Sequence, residues 1–320
     1  MVKNKLSVIM AVYNGEDTVS RTIDSILNQT FKDFEFVIVD DASTDSTSQI
    51  LKKYMEKDSR VKVLTNEINL GRCVSRNLAL EFSSGEYVAV TDADDISKPN
   101  RFAKEVVYLD QHPECYLVAA RADIVDEKGK KFAESFGVGC DANVSELLEK
   151  ENRLVHSSVM FRNTKDFWYR EKFRYAQDYD LFLQILLEEE EIHLLEDILV
   201  EYTEDREFKF NEYVLKQRYY AEIAKYLFKE ARDNMVDRYD QIDTDNLEKY
   251  VDEKIVFEME MKKAFFEKDF KLARSYAKKL IDVDPDFEWR LYFLDTFFQG
   301  NLRKIFRTIK RSTRVSKKRA

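Results

Sequence analysis

The chain has 320 residues, 44% of them hydrophobic and 13% aromatic, with 7 Gly and 3 Pro; this fills a large core for about two domains and excludes a disordered or turn-rich all-β protein. Net charge is −9, yet positions 301–320 carry nine Lys or Arg and no acid, so the first 300 residues hold about −18. An acidic body of that kind does not suit nucleic-acid binding.

The apolar run Leu6–Val12 has the wrong length and flanks for a secretory signal. No run reaches the roughly 18 apolar residues of a membrane span. Cys73, Cys115 and Cys140 are odd in number and widely spaced, which indicates neither a disulfide framework nor a zinc cluster. The expected location is cytoplasmic.

In chain order, Lys5–Tyr13 is a nearly continuous apolar run, the pattern of a strand buried on both faces, and Asn14-Gly15 breaks it. A helix from Thr18 places Val19, Ile23, Ile26 and Leu27 on one face. A second buried strand, Phe34–Val39, ends in Asp40-Asp41-Ala42-Ser43-Thr44-Asp45. Any of Ser43, Thr44 or Asp45 can cap the helix that carries Ile50, Leu51, Tyr54 and Met55. The strand Val61–Leu64 leads through Gly71-Arg72 into a helix with Val74, Leu78 and Phe82 on one side. The strand Tyr87–Val90 then empties into Asp92-Ala93-Asp94-Asp95. Four strands alternating with three helices predict a doubly wound, mostly parallel sheet.

Past Asp95, a helix starting at Pro99 aligns Phe102, Val106 and Leu109, and Cys115–Ala120 reads as a strand. Asp126-Glu127-Lys128-Gly129 reads as a hairpin turn between Ile124-Val125 and Lys131-Phe132. Leu154–Arg162 is strand-like and contains His156. A helix opens around Gln177-Asp178-Tyr179-Asp180, where Asp178 or Asp180 can serve as a cap. From Glu207 the pattern is helical: Lys254–Phe266, Phe270–Ile281 and Trp289–Phe298 are amphipathic, with breaks at Lys268-Asp269 and Asp282–Pro285. Ala264–Pro285 resembles one tetratricopeptide-type hairpin, a single unit that establishes no array. This region reads as a helical appendage with a homo-oligomer contact as one role. In the tail, Leu302, Ile305, Phe306 and Ile309 form one stripe edged by Lys and Arg. That suits an anionic membrane surface; a solvated tail or a cap on the acidic body are the other readings. The organisation expected is 1–205 catalytic, 206–300 helical and 301–320 a basic amphipathic tail.

Two strands ending in acidic groups on one sheet edge make a ligand site, because open α/β sheets bind ligands beyond their carboxyl ends. No Gly-rich phosphate loop follows the first strand. A divalent ion held by carboxylates and substrate phosphates is the alternative means of binding a diphosphate.

These residues carry a resemblance. Val8–Asn14, Val39–Asp45, Asp92-Ala93-Asp94, His156–Met160 and Gln177–Leu181, in that order over residues 5–205, look like the family 2 glycosyltransferases, inverting enzymes of the GT-A fold. The resemblance implies transfer of a sugar from a UDP-sugar to a hydroxyl of a glycan or lipid-linked acceptor, in cell-surface polysaccharide assembly, at the inner face of the membrane if the tail binds there. It implies that Tyr13 and the backbone at Ala11 pack on the base and that Asp41 bonds the base edge. Arg72 or Arg76 would contact the nucleotide. Asp92 would lie near the ribose, with Ala93 between it and Asp94, the ligand of Mn²⁺ or Mg²⁺. Asp178 would be the catalytic base, and Gln177 beside it would alter acceptor contacts. His156 reads as lining the donor–acceptor interface or as a core residue, and Trp168 and Tyr175 as an acceptor platform, since aromatic faces suit sugar rings, or as core. The chain departs from the family pattern at Ala11, where proline is common, and at Gln177, where glutamate is usual. It also lacks the arginine–tryptophan pattern of processive synthases after Asp178, which favours single addition. The other readings are a non-catalytic nucleotide-sugar-binding or scaffold protein, for which Gln177 is the sign, and a sugar-nucleotide pyrophosphorylase, which Tyr13–Glu16 does not fit.

Overall fold

The computed structural model describes residues 4–135, 144–188, 190–204, 212–267 and 269–283. Trp289–Phe298, the tail 301–320 and Cys140 lie outside them. Cys73 and Cys115 are buried free thiols.

The first four strands are β1 (Leu6–Val12), β2 (Phe34–Asp40), β3 (Val61–Thr65) and β4 (Tyr87–Val90). Helices α1 (Val19–Leu27), α2 (Thr47–Lys57) and α3 (Arg72–Phe82) alternate with them. They pair in parallel in the order β3-β2-β1-β4. Every residue of β2 is buried, Glu35 and Asp40 included, as a strand covered on both faces requires. Ile23 and Ile26 of α1 pack with Met10, Phe36 and Ile38 in one core cluster. Gly85, before β4, lies where a Cβ would come within 2.4 Å of the Ser7 nitrogen, so only glycine permits this approach of backbones.

The rest of the sheet is mixed. It comprises β5 (Ile96–Ser97), β6 (Cys115–Val125), β7 (Lys131–Glu134), β8 (Met160–Arg162) and β9 (Glu191–Thr203), with α4 (Arg101–Gln111), α5 (Val144–Leu148) and α6 (Gln177–Leu187). The order continues β4-β8-β6-β9-β5, with β7 on β6. β8 is antiparallel to both neighbours, β6 and β9 are parallel, and β5 is antiparallel to β9. The expected mostly parallel sheet is therefore wholly parallel over its first half and mixed over its second, where β6 and β9 form the parallel pair. The strand predicted over Leu154–Arg162 is instead a 3₁₀ turn, His156–Ser158, followed by three residues of strand. Ser158 Oγ bonds back to the Val155 carbonyl, so local side-chain bonding bends the chain before it enters the ladder. The 13-residue β9 was not predicted, because Glu191, Glu196, Asp197 and Glu201 interrupt its apolar positions.

Contacts divide the chain into two compact units, the first comprising Met1–Phe208 with Leu227–Gln241. Residues 227–241 are thus grouped with the α/β unit although α7 (Glu212–Asn234) begins outside it. The second unit contains α8 (Glu253–Phe266) and α9 (Phe270–Val283); α9 is amphipathic as expected, whereas the apolar residues of α8 are spread around the helix rather than on one face. These two helices share a core of Met261, Ala264, Ala273, Ala277 and Leu280. Asp269 makes the break between them, its carboxylate accepting from the Leu272 N–H at 2.9 Å. No helix among the described residues is long and apolar enough to cross a membrane.

Candidate active site

Register brings the candidate residues to one edge. Val12 pairs with Asp40, the Asp41 N–H donates to the Val12 carbonyl at 2.8 Å, and Thr91 N–H donates to the Ile9 carbonyl. The ends of β1, β2 and β4 therefore open on the same side, with Tyr13 half exposed at the rim. Ala11 lies within β1 opposite Val39. The two loops beside Tyr13 bind each other reciprocally. Asn14 N–H donates to Ser43 Oγ at 3.0 Å, Asn14 Oδ1 accepts from Thr44 N–H at 2.8 Å, and Gly15 N–H donates to Thr47 Oγ1 at 2.8 Å. The start of α2 shows no cap by Ser43 or Thr44; Asp45 instead accepts from Thr47 N–H at 2.9 Å.

Asp40 is fully buried and accepts from Ser43 N–H and the Ser48 hydroxyl. Asp41 is 3% exposed. Its Oδ1 accepts from Asn66 Nδ2 at 2.7 Å and Leu70 N–H at 2.9 Å, and its Oδ2 from Gly71 N–H at 2.8 Å. A carboxylate has about four acceptor positions, so Asp41 keeps one for a ligand donor. Gly71, with φ of 89°, turns these N–H groups toward Asp41, a conformation that side chains disfavour.

Asp92 accepts from Arg76 Nη2 at 2.5 Å and lies 3.6 Å from His156 Nδ1. Burial opposes ionisation of Asp92, but Arg76 and His156 outweigh it and hold the carboxyl well below the usual range. Of the two candidate arginines, Arg72 is exposed, whereas Arg76 is buried against Asp92, so that carboxylate is the one ligand its Nη2 reaches. Ala93 packs on the core, and this turns Asp94 outward. Burial and the charge of Asp92 raise the pKa of Asp94, with Arg21 and Arg72 countering.

Among the described residues, no three His, Cys, Asp or Glu side chains gather as a metal site. The donor set nevertheless fits a hard divalent ion of the Mg²⁺ or Mn²⁺ type. Asp94 is an outward-facing carboxylate whose pKa is raised by its neighbours, and such ions are commonly held by one or two carboxylates with substrate phosphates.

Asp178 stands in the first turn of α6. It accepts from Asn152 Nδ2 at 2.8 Å. It does not cap the helix, and neither does Asp180: the cap position is Ala176, with left-handed φ of 51°, and no side chain bonds there. Buried Tyr169 feels the charges of both Asp92 and Asp178, as does Tyr202, whose phenol pKa is raised by burial first and by Asp95, Asp92, Glu204 and Asp178 after it. The charges at the end of β4 and the start of α6 therefore both act on Tyr169 and Tyr202.

His156 is buried. Its Nε2 lies 2.8 Å from the Tyr169 hydroxyl, with the rings edge to face. Gln177 is buried, with Oε1 lacking a partner. Trp168 is 37% exposed and its indole N–H donates to the Lys165 carbonyl, while Tyr175 is half-buried.

Sequence reasoning missed several supports. Arg21 donates to the Asp94 carbonyl at 2.9 Å and to Thr203 Oγ1 at 3.2 Å, and Thr203 Oγ1 donates to the same carbonyl at 2.7 Å. Buried Asp95 accepts from Thr203 N–H at 2.8 Å and from the Ser157 hydroxyl. Fully buried Arg101 donates to Val90 O at 3.0 Å, Val159 O at 3.1 Å, Ser97 Oγ at 3.0 Å and Glu105 Oε1 at 3.0 Å, stitching the end of β4 to the 3₁₀ turn. The one signal for these was a charged residue, such as Arg101 or Glu105, inside an apolar helical stripe.

The glycosyl transferase family 2 model matches residues 7–184. An uncharacterized glycosyltransferase of Methanocaldococcus jannaschii is 34% identical over 229 residues, covering 69% of this chain and 78% of that one. The O-antigen biosynthesis glycosyltransferase WbnJ of Escherichia coli is 32% identical over 191 residues, 58% of this chain and 74% of WbnJ. Among solved structures, residues 1–349 of S. aureus TarS in complex with UDP-GlcNAc superpose with a TM-score of 0.60 at 20% identity, covering 89% of this chain and 92% of that one. GalNAc-T7 with UDP, GalNAc and Mn²⁺ superposes with a TM-score of 0.54 at 15% identity, covering 78% and 54%. At such identities these two show the fold alone. The chain belongs to glycosyl transferase family 2 and is a glycosyltransferase of the GT-A type, an α/β fold with a mixed sheet and C-terminal helices.

Proposed function

We propose that the protein transfers a sugar, with inversion, from a UDP-sugar to a hydroxyl of a glycan or lipid-linked acceptor in cell-surface polysaccharide assembly. The observation that carries this reading is the chain from Arg76 to Asp92, His156 and Tyr169 beside the Asp94 turn, with the charge of Asp178 also felt at Tyr169 and Tyr202. The names of WbnJ and of the TarS complex support the pathway and the donor.

In this reading Tyr13 and Asp41 receive the uracil, the free acceptor position of Asp41 taking a base N–H. Asp92, kept ionised by Arg76, accepts from a ribose hydroxyl. Asp94 holds the divalent ion, which when bound stabilises charge on the departing diphosphate. Asp178, held by Asn152, takes the proton from the attacking hydroxyl as the new bond forms on the opposite face of the sugar, a role worth about 10²–10⁴ in rate. His156, Trp168 and Gln177 border the acceptor. Residues 1–205 form the catalytic domain, 206–300 a helical region that offers a homo-oligomer contact, and 301–320 a tail for an anionic membrane surface on the cytoplasmic side.

UDP release from a panel of UDP-sugars, with a glycan or lipid-linked acceptor and with or without EDTA, tests the function. Acceptor-dependent release that EDTA abolishes is expected. UDP binding without release from any sugar would favour the scaffold reading. For the tail, loss of binding to vesicles of anionic lipid on truncation after Gly300 is expected; unchanged binding contradicts it.

A further inference from the structure

Asp180 is 2% exposed, lies two residues beyond the proposed base, and has no part in the chemistry above. Its Oδ2 accepts from Gln184 Nε2 at 2.9 Å and lies 3.5 Å from Arg170 Nε. Arg170 in turn donates to Asp237 Oδ1 at 3.3 Å, and its guanidinium lies over the Tyr239 ring, 5.1 Å from the centroid.

Tyr239 holds the same stretch at two further points. Its hydroxyl accepts from Lys172 N–H at 2.8 Å, and its ring stacks on Phe173 with centroids 6.4 Å apart. Lys172 Nζ donates to the Asp240 carbonyl at 2.7 Å. On its other side the stretch is tied to α3: Asn77 exchanges two bonds with the backbone of Tyr169, at 2.8 and 2.9 Å, and Cys73 Sγ donates to the Phe173 carbonyl. Residues 169–173 are thus clamped between α3 and the segment following α7, and they feed directly into Ala176. A non-glycine residue at φ of 51° persists only where its surroundings over-determine it.

We propose that Asp237–Gln241 braces the base: Tyr239 and Arg170 are positioning residues that fix the turn at Ala176 and so aim Asp178 at the acceptor hydroxyl. Part of the sequence beyond the matched family region (residues 7–184) thereby becomes part of the transfer machinery without touching substrate. The inference rests on Asp178 being the base.

The test uses the full chain carrying Tyr239→Phe or Tyr239→Ala, with Arg170→Lys as the conservative partner. Tyr239→Ala is expected to lower kcat roughly 10- to 100-fold, the scale of a small misplacement of a reacting group, while the KM for donor and the UDP affinity hold. Tyr239→Phe, which loses the Lys172 bond and keeps the stack, is expected to fall between, and Arg170→Lys to retain more activity than Arg170→Met. Hydrogen exchange should quicken in residues 169–180 of Tyr239→Ala and not in β1–β4. Unchanged kcat with unchanged exchange overturns the brace, as does a uniform loss of protection with weakened UDP binding. If the unsubstituted protein binds no UDP and transfers no sugar, the functional reading fails, and the exchange experiment still decides whether the brace exists.

Discussion

The two halves of the α/β unit are held by different means. The parallel half, β1 to β4, joins the ends of successive strands across one strand–helix unit, 29 or 30 residues of chain, as Asn14 does with Ser43 and Thr44, and Asp41 with Leu70 and Gly71. The mixed half also draws on longer spans: Asp178 of α6 meets Asn152, 26 residues before it, but Arg101 meets Val159, 58 residues on, and Asp95 meets Thr203, 108 residues on. The proposed nucleotide site thus sits on a frame built between consecutive strand–helix units, and the proposed base beside a half whose other ties reach farther along the chain. Damage to the first should weaken binding, and damage to the second should slow transfer.

The largest separation is expected from Asp178→Asn. It should cut kcat by about 10²–10⁴ while UDP affinity by calorimetry is unchanged; loss of UDP binding would show that the halves are not separable. Arg101→Met should damage both, because Arg101 joins them. Removing one member of a buried pair costs about 3–5 kcal/mol, to be read as a drop in unfolding free energy in urea. A loss under about 1 kcal/mol would remove Arg101 as the link.

Gly71→Ala is a milder break, confined to the parallel half. Strain at a left-handed φ costs on the order of 1–3 kcal/mol, and the turned N–H groups on Asp41 would shift with it. The expected result is weaker UDP binding with kcat at saturating donor kept; a fall in kcat alone would contradict it.

Proton linkage gives the smallest effect, and the halves differ in sign. For Glu35 of β2, burial opposes ionisation, but Lys62, Ser7 and Ser84 outweigh it and lower the pKa to about 2 from 4.5. Glu35 therefore contributes stability above pH 4.5 that is lost as pH falls toward 2, on the order of 2 kcal/mol. For Asp180, burial dominates Arg170 and pushes the pKa to about 7 from 3.8. Its folded form keeps a proton that the unfolded chain releases, so its contribution falls as pH rises between about 4 and 7. Thermal melts against pH should show Glu35→Gln flattening the acid limb and Asp180→Asn flattening the slope toward neutrality; identical profiles would refute both.

The same contrast explains what the sequence disclosed. Val8–Asn14, Phe34–Asp45 and Tyr87–Asp94 were legible because buried parallel strands are continuous apolar runs and their polar ends fall on one edge. The strand β9 was not, since Glu191, Glu196, Asp197 and Glu201 disguise a ladder stabilised by partners more than 60 residues away. The bend at His156–Ser158 hid for a related reason, since Asp95 and Arg101 hold it in addition to the local bond of Ser158 to Val155. Asp178 was visible as an acid at a helix start, but nothing local distinguished it from a cap. Only the fold shows that the cap position is Ala176 and that Asp178 bonds Asn152 instead.

The proposed gathering of nucleotide, ion and base at one edge of the sheet is tested most directly by anomalous diffraction from crystals of the protein grown with UDP and Mn²⁺. A manganese peak at bonding distance from an Asp94 oxygen, with uracil between Tyr13 and Asp41 and the Asp178 carboxylate open to the space beyond the diphosphate, is the result predicted. Manganese and UDP bound at any other edge of the sheet, or Asp178 closed off from them, would contradict it.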